Sequence, residues 1–317
     1  MHGTPARLDS QAEPGGEIPG LPGVPAFVLR AGEPSAIPVL IAVPHSGRSY
    51  PPSLLDELRH GESAALRLED RYVDRLAAGV ARATGAGLLL ANAPRAMIDL
   101  NRAPDDIDWE MFPRADRPEP GGALPGRRAR GGLGRIPRGL PGTGELGGRP
   151  LDRAELARRI ERIHAPYHAV LERELRQLGE RWGAALLVDL HSMPPLPSRP
   201  GVPPVEVVVG DRFGAACHGS LVAAAFSQLG ESGRGTAHNR PYAGGYVLER
   251  HANPSVGIHA LQLEIDRSRY LDAALLEPGE GLEPMVRDLA ALVRRLAQVA
   301  SDLGQEAGTR NWPLAAE

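Results

Sequence analysis

Two histidines each stand just past a run of almost purely apolar residues. His45 follows residues 37–43 (IPVLIAV) and His191 follows residues 185–190 (ALLVDL). Runs of this kind read as buried strands, which fix the backbone of the residue that comes next. Two histidines held this way, with one carboxylate, are the protein donors a catalytic zinc needs, leaving a fourth position for water. The bland alternative is two unrelated loop histidines. The third residue after His45 is Arg48, so there is no H-x-x-E there to supply the carboxylate. Glu69 and Asp70, where a helix opens after the first strand, are candidates, as is Asp74 one turn further on the face of Asp70. An acidic first turn serving the helix dipole would look the same.

Glu264 lies near the end of another apolar run, residues 258–265. Strand alternation puts Ala260, Gln262 and Glu264 on one face and His259, Leu261 and Leu263 on the other. A carboxylate in such a strand is costly to bury unless paired, which suits a general base acting on a metal-activated water. A structural ion pair with an arginine is the competing reading, and His259, facing away, reads as structural. Asn101-Arg102 closes the phrase 95–102 (RAMIDLNR) and could read a carboxylate, the guanidinium bidentately and the amide by a directional bond. Gly244-Gly245, in the polar loop 238–246, permits close approach of backbone to a ligand. Ser46 and Ser192 sit in no G-x-S-x-G elbow, which weakens a serine-nucleophile reading.

Several elements must position these groups. Strands are expected at 37–43, 87–91, 97–100, 185–190, 205–209 and 258–265. Helices are expected at 66–83, from Asp152 through about 178 with a kink at Pro166, at 215–229 and at 283–303. Asp152 with Glu155 three residues on forms a capping box. Apolar strands alternating with helices predict an α/β fold with a mixed, largely parallel sheet covered on both faces, a three-layer αβα arrangement. Ligands in such sheets bind at the carboxyl ends of the strands, where the polar clusters fall. One domain is expected over 25–305, with flexible tails at 1–24 and 306–317. Residues 113–150 interrupt it: 11 Gly, 7 Pro and 8 Arg among 38 residues read as an insertion unable to pack its own core. It is a lid over an anionic substrate or a disordered segment.

Composition removes rivals. The chain has 317 residues with 42% hydrophobic and 24% charged content, and all 36 basic residues are arginine. Without lysine there is no Schiff-base or P-loop chemistry. One cysteine, Cys217, excludes zinc ribbons and intramolecular disulfides. A net charge of −3 gives no sign of a nucleic-acid or membrane surface. No run of 18 apolar residues and no secretory pattern at the start lead to the expectation of a cytoplasmic protein.

Taken in order, six phrases resemble the N-formylglutamate amidohydrolase (formylglutamate deformylase) family. They are Pro-His-Ser-Gly at 44–47, Asp70 with Val73-Asp74-Arg75-Leu76, Arg95 with Ile98-Asp99-Leu100-Asn101-Arg102, Asp189-Leu190-His191-Ser192, Gly244-Gly245 followed by Arg250-His251, and Gly257 through Glu264. The family looks related to zinc carboxypeptidases and aspartoacylase, which implies their phosphorylase/hydrolase-like fold. The resemblance implies zinc or another divalent transition metal on His45, Asp70 and His191, with Asp70 preferred to Glu69. It implies Glu264 as the catalytic residue. Asn101 and Arg102, with Arg95 or Arg240, would hold substrate carboxylates beside Gly244 and Gly245. The implied reaction is hydrolysis of N-formyl-L-glutamate in histidine degradation. The rivals are another N-acyl amino acid or small amide as substrate, and a non-catalytic carboxylate-binding protein.

Overall fold

The computed structural model describes residues 12–59, 61–118, 126–140, 144–147, 150–197, 201 and 203–310. Its main sheet has eight strands: β1 (Ala12–Gly15), β2 (Phe27–Arg30), β3 (Val39–Val43), β4 (Gly87–Ala91), β5 (Ala185–Met193), β6 (Val207–Gly210), β7 (Thr236–His238) and β8 (Ile258–Asp266). They lie in the order β1-β2-β4-β3-β5-β8-β6-β7. β4, β3, β5 and β8 run parallel to one another, while β2 and β6 run antiparallel to their neighbours β4 and β8. The central strands are buried on both faces, which is why they read as unbroken apolar runs.

Helices cover both faces. Seven are used below: α1 (Gly61–Leu68), α2 (Val73–Thr84), α3 (Arg153–Arg159), α4 (Ala165–Trp182), α5 (Gly219–Glu231), α6 (Tyr246–His251) and α7 (Leu282–Arg310). Leu76 and Val80 of α2, Leu221 and Leu229 of α5, and Leu289 and Leu296 of α7 share one core with Val39, Ile41, Leu261 and Leu263. Leu171 and Leu175 of α4 share the other with Leu40, Leu187 and Ala260. The result is the three-layer αβα arrangement with a mixed, largely parallel sheet that the strand and helix alternation predicts.

Four departures from the sequence expectations have local causes. The helix expected over 66–83 is two helices, broken at 69–72, where Tyr72 adopts φ 57°. The Asp70 amide donates to the His45 carbonyl at 3.0 Å within that break. Residues 97–100 form a turn rather than a strand. The long helix is continuous but passes through a π-helical turn, Ile160–His164, just before Pro166. Pro166 has no N–H to give the carbonyl of Arg162, and that carbonyl instead accepts from the Glu17 amide at 3.0 Å. The same contact docks the N-terminal segment. Of the tail expected at 1–24, Ala12–Gly15 pairs with β2 and Ile18 is fully buried. Pro14 is tolerated because β1 is an edge strand. At the other end α7 continues to Arg310. Residues 1–11 and 311–317 lie outside the described residues. Asp152 caps α3 as its spacing predicts, accepting from the Glu155 amide at 2.6 Å.

The described parts of the insertion pack against the main core rather than forming one of their own. Ala129, Ile136 and Leu146 are buried there. The Arg135 amide donates to the Asp106 carbonyl and the Asp99 amide to the Arg135 carbonyl, both at 2.7 Å. Residues 119–125, 141–143 and 148–149 lie outside the described residues.

Candidate active site

The carboxyl ends of β3, β5 and β8 meet in a cavity of about 930 Å³. His45 leaves β3 two residues past its end. Within β5, alternation places Asp189 and His191 on one face, and parallel pairing sets Gln262 beside Asp189 and Glu264 beside His191. His45, Asp70 and His191 are all buried, and their donor atoms converge within 4.8 Å of one another. The edges of this triangle are 3.1 Å from His45 Nδ1 to His191 Nδ1, 2.9 Å from His191 Nδ1 to Asp70 Oδ2 and 3.4 Å from His45 Nδ1 to Asp70 Oδ2.

The second nitrogen of each ring explains the orientation. His45 Nε2 lies 2.8 Å from Asp99 Oδ1, and His191 Nε2 lies 2.9 Å from Asp189 Oδ2. In a singly protonated ring, a carboxylate on Nε2 holds the proton there and would leave Nδ1 as a lone pair aimed at the common point, as metal-ligating histidines are arranged. Asp99 keeps its charge: burial opposes it, but Arg95, Arg102 and His45 hold it well below the usual carboxylate range. Burial likewise opposes charge on Asp70, but its contacts with His191 and His45 hold it well below the usual carboxylate range; against burial, Asp189, Asp70 and Glu264 in turn raise His191 well above its ordinary value. Once His191 gives up that proton, two imidazole nitrogens and one ionised carboxylate make a donor set that fits a divalent metal such as zinc, with room for a further ligand from the cavity. The other two acidic candidates are engaged elsewhere. Asp74 forms a two-pronged pair with Arg48, and Glu69 accepts from Tyr50 and Arg71.

Glu264 lines the same cavity, with its Oε1 accepting from Gln262 Nε2 at 3.0 Å. Burial raises its pKa to about 8, the charge of Asp70 adding to this and His191 opposing it. A carboxyl poised near neutrality is suited to take and return a proton. His259, on the opposite face, packs near His218 with ring centroids 6.3 Å apart.

The residues read as substrate contacts divide. Arg95 gives Nε to Asp99 at 2.9 Å and lines the cavity. Arg102 lines it too, with its Nε donating to the Leu133 carbonyl of the insertion at 2.8 Å and its Nη1 to the Asn101 carbonyl at 2.7 Å. Asn101 is buried, and its Oδ1 accepts from the Val247 amide at 2.9 Å. It thereby clamps the first turn of α6. Gly245 must be glycine for that clamp, because a Cβ there would collide with the Asn101 side-chain amide. Gly244, at φ 108°, also borders the cavity. Arg240 is exposed and is not among the residues that line it. Arg128, Arg212, Tyr242 and Arg267 line the cavity and were not anticipated. Each comes from a loop or short helix whose placement depends on tertiary packing.

Behind the 99–102 segment lies a buried histidine cluster. His168 Nε2 donates to the Leu100 carbonyl at 3.0 Å and its Nδ1 meets His251 Nε2 at 2.9 Å, while His164 Nε2 donates to the Arg102 carbonyl at 3.1 Å. The ring-to-ring bond between His168 and His251 needs a lone pair on one of the two nitrogens. Burial first, then the charge of Arg135, lowers His164 to about 3, and burial with Arg250 lowers His251 to about 3. A histidine whose folded pKa lies below its unfolded value contributes stability above about pH 6.5 that is lost as pH falls towards about 3. Each unit of displacement corresponds to about 1.4 kcal/mol, so acidification across that window should cost on the order of a few kcal/mol. Denaturation midpoints recorded against pH will show this as a slope that His251→Gln flattens. An equal slope in the variant would show that the cluster is not its source.

A family model described as N-formylglutamate amidohydrolase matches residues 37–271. The N-formylglutamate deformylase of Pseudomonas putida is 30% identical over 281 residues, 85% of this chain and 94% of that protein. The N-formylglutamate deformylase of Pseudomonas aeruginosa is 30% identical over 251 residues, 74% of this chain and 83% of that protein. The crystal structure of an N-formylglutamate amidohydrolase from Ralstonia eutropha JMP134 is 33% identical, with a TM-score of 0.77 over 89% of this chain and 99% of that one. The model match across the strands that carry the cavity, and relatives aligned over most of their own length, establish that the chain belongs to the N-formylglutamate amidohydrolase family.

Proposed function

We propose that the protein hydrolyses the formyl amide of N-formyl-L-glutamate, giving formate and L-glutamate. The observation that carries this is the convergence of His45, Asp70 and His191 at one point beside Glu264, in a cavity bordered by arginines. The named relatives, both deformylases of this substrate, support it. Zinc, or another divalent transition metal held by His45, Asp70 and His191, would supply Lewis acidity at the formyl oxygen and lower the pKa of water. Asp99 and Asp189 keep the two imidazoles in the tautomer that binding requires. Glu264 takes the proton of the attacking water as its oxygen bonds to the formyl carbon. It returns that proton to the nitrogen as the C–N bond breaks, so the leaving group departs as a neutral amine. Arg95, anchored on Asp99 through Nε, presents the rest of its guanidinium to a substrate carboxylate and so fixes the formyl carbon relative to Glu264. Gly244 and Gly245 let the loop before α6 approach the substrate closely.

The substrate is a small molecule, with no nucleic acid or membrane partner, and the reaction is placed in the cytoplasm. Among the described residues, no helix is long and apolar enough to cross a membrane. The test is metal analysis of the purified protein together with kcat/KM for N-formyl-L-glutamate and N-acetyl-L-glutamate. Stoichiometric metal and a preference for the formyl compound are expected. Preference for another acyl group would move the substrate within the same chemistry. Absence of both metal and turnover, with no rescue by added zinc, would make this a carboxylate-binding protein instead.

A further inference from the structure

The arginines that line the cavity differ in how far the protein has already used them. Arg102 is tied to two backbone carbonyls, Arg267 to Ser192, Asp70 and the Glu69 carbonyl, and Arg212 to Glu249 at 2.8 Å. Arg95 rests on Asp99. Arg128 differs from these four: it lines the same cavity, yet its side chain makes no ion pair or hydrogen bond among the described residues. An unpaired cation at the wall of a substrate cavity is a ready partner for an anion.

Its backbone is held, although its side chain has no partner among the described residues. The Arg128 carbonyl accepts from the Gly131 amide at 3.1 Å and from the Leu133 amide at 2.9 Å. The carbonyl of Leu133 in turn receives Arg102 Nε. Ala129, the next residue, is fully buried, and Gly134 leaves the space that Ala129 occupies. The insertion therefore sets Arg128 in a fixed place relative to the 99–102 segment. Tyr242 lines the same cavity; burial raises its hydroxyl, with Glu264 adding and Arg128 opposing.

N-formylglutamate carries two carboxylates, and Arg95 can hold only one of them. We propose that Arg128, delivered by the insertion, receives the second carboxylate and makes the enzyme selective for a dicarboxylate substrate. This rests on the reading of the site as an N-formylglutamate hydrolase. Substrates ending in an uncharged amide would fill the same space without the ion pair.

The test compares N-formyl-L-glutamate with N-formyl-L-glutamine in the wild type, Arg128→Gln and Arg128→Lys. Losing a charge-assisted contact of this kind should lower kcat/KM for the glutamate compound by roughly 10- to 100-fold. The loss should come mainly through KM, with the glutamine compound changed by less than about twofold. Arg128→Lys should restore part of the preference, which a merely structural role would not predict. Calorimetric titration with L-glutamate and L-glutamine gives a second readout that needs no turnover. The wild type should bind glutamate more tightly and Arg128→Gln should lose that preference. An equal loss for both compounds, or an undiminished preference in Arg128→Gln, would overturn the assignment. If the wild type hydrolyses neither formyl compound, the proposed reaction fails while calorimetry still decides on Arg128: a glutamate preference abolished by Arg128→Gln upholds it, and any other pattern overturns it.

Discussion

Glu264→Gln should lower kcat for N-formyl-L-glutamate by about 10²- to 10⁴-fold, the range a positioned general base contributes. KM should change little, and so should metal content, because Glu264 is not among the three converging donors. Glutamine keeps the shape, and its side-chain oxygen can still accept the bond that Gln262 now gives Glu264. What is lost is the ability to hold a proton. A second consequence separates loss of charge from damage to the fold. Glu264 titrates at about 8 when folded, against an ordinary 4.5, because burial penalises its ionised form. The folded state therefore binds the extra proton between these values. The contribution of Glu264 to stability is greatest below about 4.5 and declines as pH rises through about 8. In metal-free protein at pH 8, Glu264→Gln should be more stable than wild type by on the order of a few kcal/mol. The difference should close as pH falls towards 4.5. Thermal melts at the two pH values, read beside steady-state kinetics, check both parts. A variant that loses activity and also melts lower at pH 8 would point to a structural role for Glu264.

Much of this site was legible because its main groups sit on or next to strands. A run such as 185–190 announces both its buried strand and the residue that must emerge from it, and period-two alternation then separates Glu264 from His259. The same rule would have put Asp189 on the face of His191, so that support was readable in principle. Asp99 was not, because nothing local brings a turn residue 54 positions away against His45 Nε2. The choice among Glu69, Asp70 and Asp74 depended on the break between α1 and α2, which the apolar stripe of a continuous helix concealed. Composition misled at two points. The Gly- and Pro-rich segments at 12–24 and 113–150 have too little apolar content to fold alone. Their described residues are held by docking, one segment through the Arg162 carbonyl left free by Pro166 and the other through Asp106 and Arg102. Asn101 and Arg102 were read as facing substrate. Both line the cavity, and they also hold the first turn of α6 and the insertion in place.

His191→Ala and His259→Ala should give opposite results although both remove a buried imidazole from neighbouring strands. In His191→Ala one of three donors disappears, and Asp189 loses its partner at 2.9 Å while fully buried. Asp70 loses its closest bond at the same point. Two remaining donors are too few for a catalytic zinc site, so the variant should purify without stoichiometric metal and without measurable turnover. Excess zinc should not restore activity. His259 instead lies on the opposite face of β8, its Nδ1 without a partner among the described residues. Its removal takes away packing and no hydrogen bond at that atom, so stability should fall by about 1–3 kcal/mol, with metal content and kcat close to wild type. Asp99→Asn should fall between them. An amide there cannot hold the proton on His45 Nε2 as a carboxylate does, and loss of such support weakens metal binding about 10- to 100-fold. Metal content after dialysis against a graded chelator series will order the variants. If His259→Ala lost metal while His191→Ala kept it, the face of β8 assigned to the site would be the wrong one. If Asp99→Asn matched the wild type, the orientation of His45 would have to come from packing and not from its carboxylate.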